Sequence, residues 1–222
     1  MISRIVIIGH TGFIGSSLEQ ALRRDCSTLE IVGKSYPPFD LLQDADALKE
    51  HFDAHTAVIM LAAVKKQLGD SIENCTKNIA MMANLCKVLE EHPVGRFIYF
   101  SSSAVYGENI HNLAITEDTP VQPTSYYGIG KYASERMLHK VMPRNVVIIR
   151  PPQIYGPGDM PCYGPSGFLH AALIGEPIVL WGDGSEMREF IFVDDVVAIV
   201  QTLLFSNYQG VLNIASGNNY SY

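Results

Sequence analysis

Short unbroken apolar runs recur along the first 150 positions of this 222-residue chain. Between them lie stretches whose apolar residues return every three or four positions. Arg4-Ile-Val-Ile-Ile8 is β-branched and continuous, as expected of a strand buried on both faces. Ser16-Ser-Leu-Glu-Gln-Ala-Leu-Arg23 puts Leu18, Ala21 and Leu22 on one side of a helix. Read this way, the pattern predicts strands at 4–8, 29–33, 57–61, 96–101 and 145–150. It predicts helices at 13–24, 44–53, 74–92 and 127–142. Alternating strand and helix imply an α/β fold with a parallel sheet covered on both faces. The character changes after Arg150. Residues 151–165 carry five prolines and three glycines and read as loop. Beyond them the pattern shows one clear helix, about 194–205, and two short apolar runs, Pro177-Ile-Val-Leu180 and Gly210-Val-Leu-Asn-Ile214. The final residues 217–222 give no packed element, so a second, smaller lobe is expected to be incomplete.

Composition narrows the class. Hydrophobic residues make up 47% and charged residues 18%, which indicates a globular protein. The net charge is −7 without a basic block, so a nucleic-acid surface is not expected. Anionic ligands must then be held locally, by backbone N–H groups and single cations. Cys26, Cys75, Cys86 and Cys162 have no C-x-x-C spacing, so neither a zinc site nor a disulfide framework is expected. The run Val196–Phe205 is too short to span a bilayer, and the N-terminus enters a strand without a signal-peptide pattern. The expected setting is cytoplasmic, away from membranes.

Two short motifs carry the chemistry. Gly9-His-Thr-Gly12-Phe-Ile-Gly15 lies between the first strand and the first helix. Strand, glycine turn and helix present free N–H groups and a positive helix end to a pyrophosphate. Residues 1–150 therefore read as a Rossmann-type dinucleotide-binding domain, and 151–222 as a substrate-binding portion with elements interleaved into it. The second motif is Ser125-Tyr-Tyr-Gly-Ile-Gly-Lys131. On a helix, Tyr127 and Lys131 share one face a turn apart. An ammonium near a phenol is expected to lower a phenol pKa that otherwise lies near ~10. Such a phenol can move a proton to or from a sugar hydroxyl. Gly128 and Gly130 each cost roughly 1 kcal/mol against alanine in a helix, which suggests close approach by a nicotinamide ribose or a neighbouring backbone. The alternative is a helix that begins near Lys131, which would spoil the Tyr–Lys geometry.

Together the motifs resemble the extended short-chain dehydrogenase/reductase family, in its nucleotide-sugar epimerase and dehydratase branch. Seven segments match in the family's order: Gly9–Gly15, Leu61-Ala-Ala63, the helix segment at Asn78, Ser101-Ser-Ser-Ala-Val-Tyr-Gly107, Tyr127–Lys131, Arg150–Gly158 and Trp181–Asp195. The resemblance implies a bound NAD or NADP. Gly9, Thr11, Gly12, Phe13, Ile14, Gly15, Leu61, Ala62, Ala63, Asn78, Tyr127 and Lys131 would line it, and Asp40-Leu41 would lie beside the adenine. Dinucleotide folds place an acid at the end of the second strand, on the ribose 2′-OH. Here that stretch reads Gly33-Lys34-Ser35. Lys34 and Ser35 could meet a 2′-phosphate, which leans toward NADP. Asp40 has a second possible role as a helix N-cap, and Lys65 could approach the cofactor or form a solvated pair with Lys66.

The resemblance also implies a catalytic set of Ser102, Tyr127 and Lys131. Counting back four from Tyr106 selects Ser102, with Ser103 the near alternative. Ser103, Gln153 and Arg188 join Ser102 as candidate substrate contacts. The guanidinium of Arg188 suits a diphosphate, whereas Gln153 stands where the family has Asn. Asp194 and Asp195 read as caps of the helix at 194–205. The dehydratase branch has an Asp-Glu pair after the serine or threonine, and here those positions are Ser103 and Ala104. The leading expectation is a nucleotide-sugar epimerase acting at C4 through a 4-keto intermediate. The alternatives are an NADPH-dependent reductase of a nucleotide 4-keto sugar and a dinucleotide-binding sensor without turnover. Helices 74–92 and 127–142 pair between subunits in this family, which implies a homodimer.

Overall fold

The computed structural model describes residues 1–108, 114–162, 164–180 and 182–221. Trp181, at the start of the seventh matching segment, lies outside the described residues. Five parallel strands form the centre: β1 (Arg4–Ile8), β2 (Glu30–Lys34), β3 (Thr56–Met60), β4 (Arg96–Phe100) and β5 (Val146–Arg150). Each lies within one residue at either end of the span its apolar run predicts. The helices α1 (Phe13–Asp25), α2 (Ile72–Glu91) and α3 (Tyr126–Val141) connect them.

Period-two alternation sorts the strand residues onto two faces. Val6, Ile8, Val58, Met60, Phe97, Tyr99, Val146 and Ile148 pack with Leu85 and Leu89 of α2 and Leu138 of α3. Ile5, Ile7, Ala57, Ile59, Ile98, Phe100, Val147 and Ile149 pack with Leu18 and Leu22 of α1. Both faces are covered, so the inner strands need apolar residues at every position. Each side chain of β3, β4 and β5 is indeed buried.

Residues 151–221 add β6 (Gln153–Tyr155), α4 (Gly164–Ile174), β7 (Met187–Phe192), α5 (Val193–Leu204), β8 (Gly210–Asn213) and β9 (Asn219–Ser221). β8 returns to the main sheet, whose order is β2-β1-β3-β4-β5-β8, and β6-β7-β9 form a second sheet. β1 has β2 on one side and β3 on the other. This reversal opens a crevice at the carboxyl ends of the strands, where doubly wound sheets bind ligands.

Several expectations need correction. Residues 44–53 form no α-helix but a 3₁₀ segment, Ala45–His51. It closes with i→i+3 bonds such as Ala47 N–H to Asp44 O at 2.9 Å, a tighter geometry suited to short pieces. Asp40 is not its cap, because the capping position is Asp44. Asp194 and Asp195 do not cap α5, which follows Phe192 without a side-chain cap. They lie in its first turn, where negative charge meets the positive helix end. α4 was hidden by the proline-rich run. Pro165 sits in its first turn, where a missing N–H breaks no helical bond. β6 also lies within the stretch expected to be loop, whereas Pro177–Leu180 forms no strand.

Candidate active site

The glycine turn is shaped by close backbone approach. The Leu61 and Ala62 N–H groups both donate to Ile8 O, at 2.9 and 3.0 Å. Gly9 N–H donates to Lys34 O at 2.7 Å. Gly9 has φ +96°, and a Cβ there would lie 2.8 Å from Ala62 N. A Cβ on Gly15 would lie 2.8 Å from His10 Cα and closer still to Gly9 O. The turn is therefore a cradle that side chains would fill. Gly12 is the cap of α1 and brings no side-chain bond. The first-turn N–H groups of Phe13 and Ile14 thus remain for an anion at the positive helix end. These residues fit the pyrophosphate of a dinucleotide.

Next to the cradle, Thr11 N–H donates to Ser35 Oγ at 3.1 Å. The Lys34 ammonium lies 5.9 Å from the centre of the Phe39 ring. Gly33 carries no side chain because the His10 ring covers it: a Cβ there would lie 2.5 Å from His10 Cγ. His10 in turn pairs with Glu19 at 2.8 Å. Asp40 Oδ1 accepts from Leu42 N–H at 2.9 Å, and the Leu41 side chain is buried in the core. The expected adenine neighbours are thus a turn-stabilising carboxylate and a core residue.

Leu61, Ala62 and Ala63 form the wall after β3, and Asn78 of α2 holds that wall in place. Its side chain accepts from Val64 N–H at 2.7 Å and donates to Val64 O at 3.0 Å. Asn78 therefore acts on the wall through the backbone of Val64. Lys65 is half-buried, while Lys66 forms an ion pair with Glu108.

α3 begins at Tyr126, ahead of the Tyr–Lys pair. Ser125 is its N-cap, with Oγ accepting from Gly128 N–H at 3.1 Å. Gly128 faces the turn Ser103–Tyr106, where an added Cβ would meet the backbone of Ala104. Of the two partners weighed for these glycines, the neighbouring backbone is the one in contact. The packing sets the first turn of α3 directly against the residues that follow Ser102. Ser102 Oγ accepts from Ala104 N–H at 3.1 Å, and a hydroxyl that accepts still has a proton to donate. Ser103 is joined through its own N–H to Pro151 O at 2.9 Å.

The Lys131 ammonium is buried. It donates to Phe100 O at 2.7 Å and lies 5.6 Å from the centre of the Tyr127 ring. The expected lowering of the phenol pKa is not found. Burial pushes the Tyr127 phenol up to about 12. Burial also pulls Lys131 down to about 8, against the opposing pull of Glu135. Removal from water outweighs the attraction between the pair, because each charged form loses hydration.

Glu135 was not singled out from sequence. Arg150 Nη2 and Nε donate to its carboxylate at 2.6 and 2.9 Å. Ser101 Oγ also donates to it. Arg150 Nη1 reaches Tyr106 Oη at 2.8 Å, and Tyr106 Oη donates to Asn213 Oδ1 at 2.8 Å. This buried chain joins α3, the ends of β4 and β5, and β8 directly behind Ser102 and Lys131. The signal was available in the spacing: Tyr127, Lys131 and Glu135 recur at i, i+4 and i+8 on one helix face.

Gln153 and Arg188 lie on adjacent strands of the second sheet, with Gln153 in register with Phe190. Arg188 is partly exposed and ion-paired with Glu186. Among the described residues, no hydrogen bond joins it to the cluster at 101–131. The second lobe does reach the cradle, since a Cβ on Gly158 would lie 3.9 Å from Phe13 Cδ2. No helix among the described residues is long and apolar enough to cross a membrane.

The whole arrangement has close counterparts. UDP-glucuronic acid 4-epimerase from Bacillus cereus, solved with UDP-glucuronic acid and NAD, superposes with a TM-score of 0.85. It is 26% identical, over 98% of this chain and 79% of that one. UDP-glucose 4-epimerase of Mycolicibacterium smegmatis is 30% identical over 87% of this chain and 71% of its own length. GDP-L-fucose synthase 1 of Arabidopsis thaliana is 26% identical over 97% of this chain and 73% of its own length. With its residues 5–215 matched by the profile of that family, and with the cradle, the crevice and the Tyr–Lys helix in place, the chain belongs to the NAD dependent epimerase/dehydratase family.

Proposed function

We propose that the protein is a nucleotide-diphosphate-sugar epimerase that acts at C4 through a transient 4-keto sugar. One observation carries the reading. The packing of Gly128 on Ala104 brings Tyr127 and Lys131 of α3 beside the strand end that bears Ser102. A bound nicotinamide dinucleotide supplies the hydride acceptor and donor. Ser102 holds the sugar oxygen through its hydroxyl. Tyr127 takes the proton from that hydroxyl and returns it. Burial opposes a phenolate at 127, and the Lys131 ammonium is the charge that offsets this opposition. The absence of carboxylates at Ser103 and Ala104 removes the acid–base pair that dehydration would need.

The test is turnover of UDP-glucose, UDP-glucuronic acid and their C4 epimers, followed by separation of the sugars. Tyr127→Phe removes the proton-transfer group while keeping the ring. It should lower kcat by about 10²-fold or more with nucleotide binding retained. Equal turnover by this variant would end the reading.

A second reading is favoured by the end of β2. Gly33, Lys34 and Ser35 offer no carboxylate for a ribose 2′-OH, and Lys34 offers a cation for a 2′-phosphate. This supports NADP, and with it net reduction of a nucleotide 4-keto sugar. Consumption of added NADPH at 340 nm in step with sugar conversion would select it over the epimerase. Gln153 and Arg188 are proposed to hold the substrate's diphosphate side, and Arg188 would leave Glu186 to do so.

The assembly we propose is a homodimer through α2 and α3. Ala83, Cys86, Met137 and Val141 line a groove of about 410 Å³ between the two helices, edged by Lys87, Glu90, Arg136 and Lys140. A rim of both signs can complement itself across a two-fold axis. Light scattering after size exclusion would read 24.5 kDa for a monomer and twice that for the dimer.

A further inference from the structure

We infer that Asp70 is a positioning residue for Tyr127, tying the wall beside the glycine cradle to the helix that carries the phenol. The inference rests on the catalytic role proposed for Tyr127. Asp70 Oδ1 accepts from the backbone N–H of Tyr127 itself, at 2.8 Å. Asp70 is distant in sequence from α3 and ends the segment that follows β3. That segment is anchored along its whole length. Asn78 clamps Val64 on both its N–H and its C=O. Lys66 pairs with Glu108, just past the Ser103–Tyr106 turn. Gly69 O accepts from Asn74 Nδ2 at 2.9 Å. Asp70 is the last of these anchors, and the only one of them that lands on α3. The segment 61–70 thus runs from the wall at Leu61–Ala63 to the first turn of the catalytic helix.

Ordinary helix capping does not account for this contact. α3 already has its cap, because Ser125 Oγ accepts from Gly128 N–H. The Tyr127 amide is a further first-turn donor, and it is met by a group from another part of the chain. Asp70 also directly precedes Ser71, the N-cap of α2. Its carboxylate therefore stands at the positive ends of two helices, which favours the ionised form in this place. Displacing it frees the segment and the first turn of α3 from each other. The phenol then loses its fixed distance from the wall at 61–63.

The test compares three variants of the full chain. Asp70→Ala removes the acceptor. Asp70→Asn keeps an acceptor oxygen and removes the charge. Ser125→Ala removes the cap of the same helix and leaves Asp70 in place. Turnover is measured with the sugar nucleotides named above, together with amide hydrogen exchange across residues 64–70 and at Tyr127. Asp70→Ala should lower kcat by about tenfold with KM within about twofold, because the loss is one of alignment. It should speed exchange in both segments together. Asp70→Asn should recover most of kcat and of the protection. Ser125→Ala should lower the melting temperature and leave kcat within about twofold.

Equal kcat losses in Asp70→Ala and Ser125→Ala would reduce Asp70 to a cap and overturn the inference. So would unchanged exchange at 64–70 in Asp70→Ala, or a loss in Asp70→Asn as large as in Asp70→Ala. If the wild type turns over none of these sugars, the proposed reaction fails. The exchange measurement still decides whether Asp70 joins the two segments.

Discussion

Gly15→Ala sets two effects of known size against each other. Gly15 lies in the first turn of α1, where alanine would favour the helix by about 1 kcal/mol over glycine. Against this stands the space available. The added Cβ would lie 2.8 Å from His10 Cα and 3.0 Å from Gly9 C, and closer still to Gly9 O. Ordinary contact begins at 3.4 Å, so α1 and the turn must part by at least 3.4 − 2.8 = 0.6 Å. All three neighbours are backbone atoms of one short turn, and no flexible side chain can give way. Forcing extra carbon into such packing costs about 1–3 kcal/mol. The steric cost wins, and the variant should be less stable by about 1–2 kcal/mol. Function should fall further than stability, because the displaced part is the cradle itself. A shift of this size should weaken dinucleotide binding by roughly tenfold or more. Urea unfolding measures the first effect, and fluorescence titration with NADH and NADPH the second. Gly167→Ala in α4 is the internal control. Its added Cβ would meet Pro161 O at 3.5 Å, an ordinary contact, so it should be neutral or stabilising. Should Gly15→Ala be more stable than wild type, or bind cofactor equally well, the cradle has been wrongly read.

Glu135→Ala leaves the buried Arg150 guanidinium without its partner and should cost about 3–5 kcal/mol. Unfolding midpoints of the single variant and of Glu135→Leu with Arg150→Met check this, and the double variant should recover much of the loss. Lys131 predicts a pH dependence. Its native pKa, near 8, lies below the ordinary lysine value of 10.5. Between those limits the unfolded chain holds a proton that the native chain has released, so stability rises with pH. Tyr127 acts in the opposite sense from about pH 10 to 12, where the unfolded phenol ionises first and stability falls. Lys131→Met should flatten the rise between pH 8 and 10 in denaturant midpoints, and an unchanged slope would contradict the assignment. Lys34→Ala should weaken NADPH binding by about tenfold and leave NADH binding within twofold, as read by fluorescence titration.

What the sequence made legible followed from burial. A parallel sheet covered on both faces forces continuous apolar runs, so β1, β3, β4 and β5 announced themselves together with α1, α2 and α3. The glycine turn was equally plain, because its backbone approach leaves no room for a Cβ and therefore writes glycine into fixed positions. The second lobe was harder. β6 is three residues long and sits between prolines, and α4 has only Gly164 buried, so neither carries the periodicity that marks a core element. The Ala45–His51 segment misled for a related reason, since its buried residues Ala45 and Leu48 suit a 3₁₀ turn as well as an α-helix.

The electrostatics of the site lay beyond pairwise reading of the motif. Tyr127 and Lys131 taken alone imply a phenol pulled down by a cation. In the folded chain the same two residues are moved apart, one up and one down, because both leave water. Neither direction follows from the spacing of 127 and 131; both follow from Tyr99, Phe100 and Gly128, which enclose the pair. Glu135 then restores part of the charge balance on Lys131, and Arg150 holds Glu135 ionised. The catalytic group is therefore better drawn as a buried chain running Tyr127, Lys131, Glu135, Arg150 and Tyr106 than as a serine, a tyrosine and a lysine. Substitution of Tyr106 by Phe tests that description, since it cuts the link from Arg150 to Asn213 without touching the motif residues. If the chain acts as one unit, Tyr106→Phe should shift the pH dependence of turnover while Ser102, Tyr127 and Lys131 are all intact. A profile unchanged from wild type would confine the chemistry to the motif and leave Glu135 and Arg150 as scaffold.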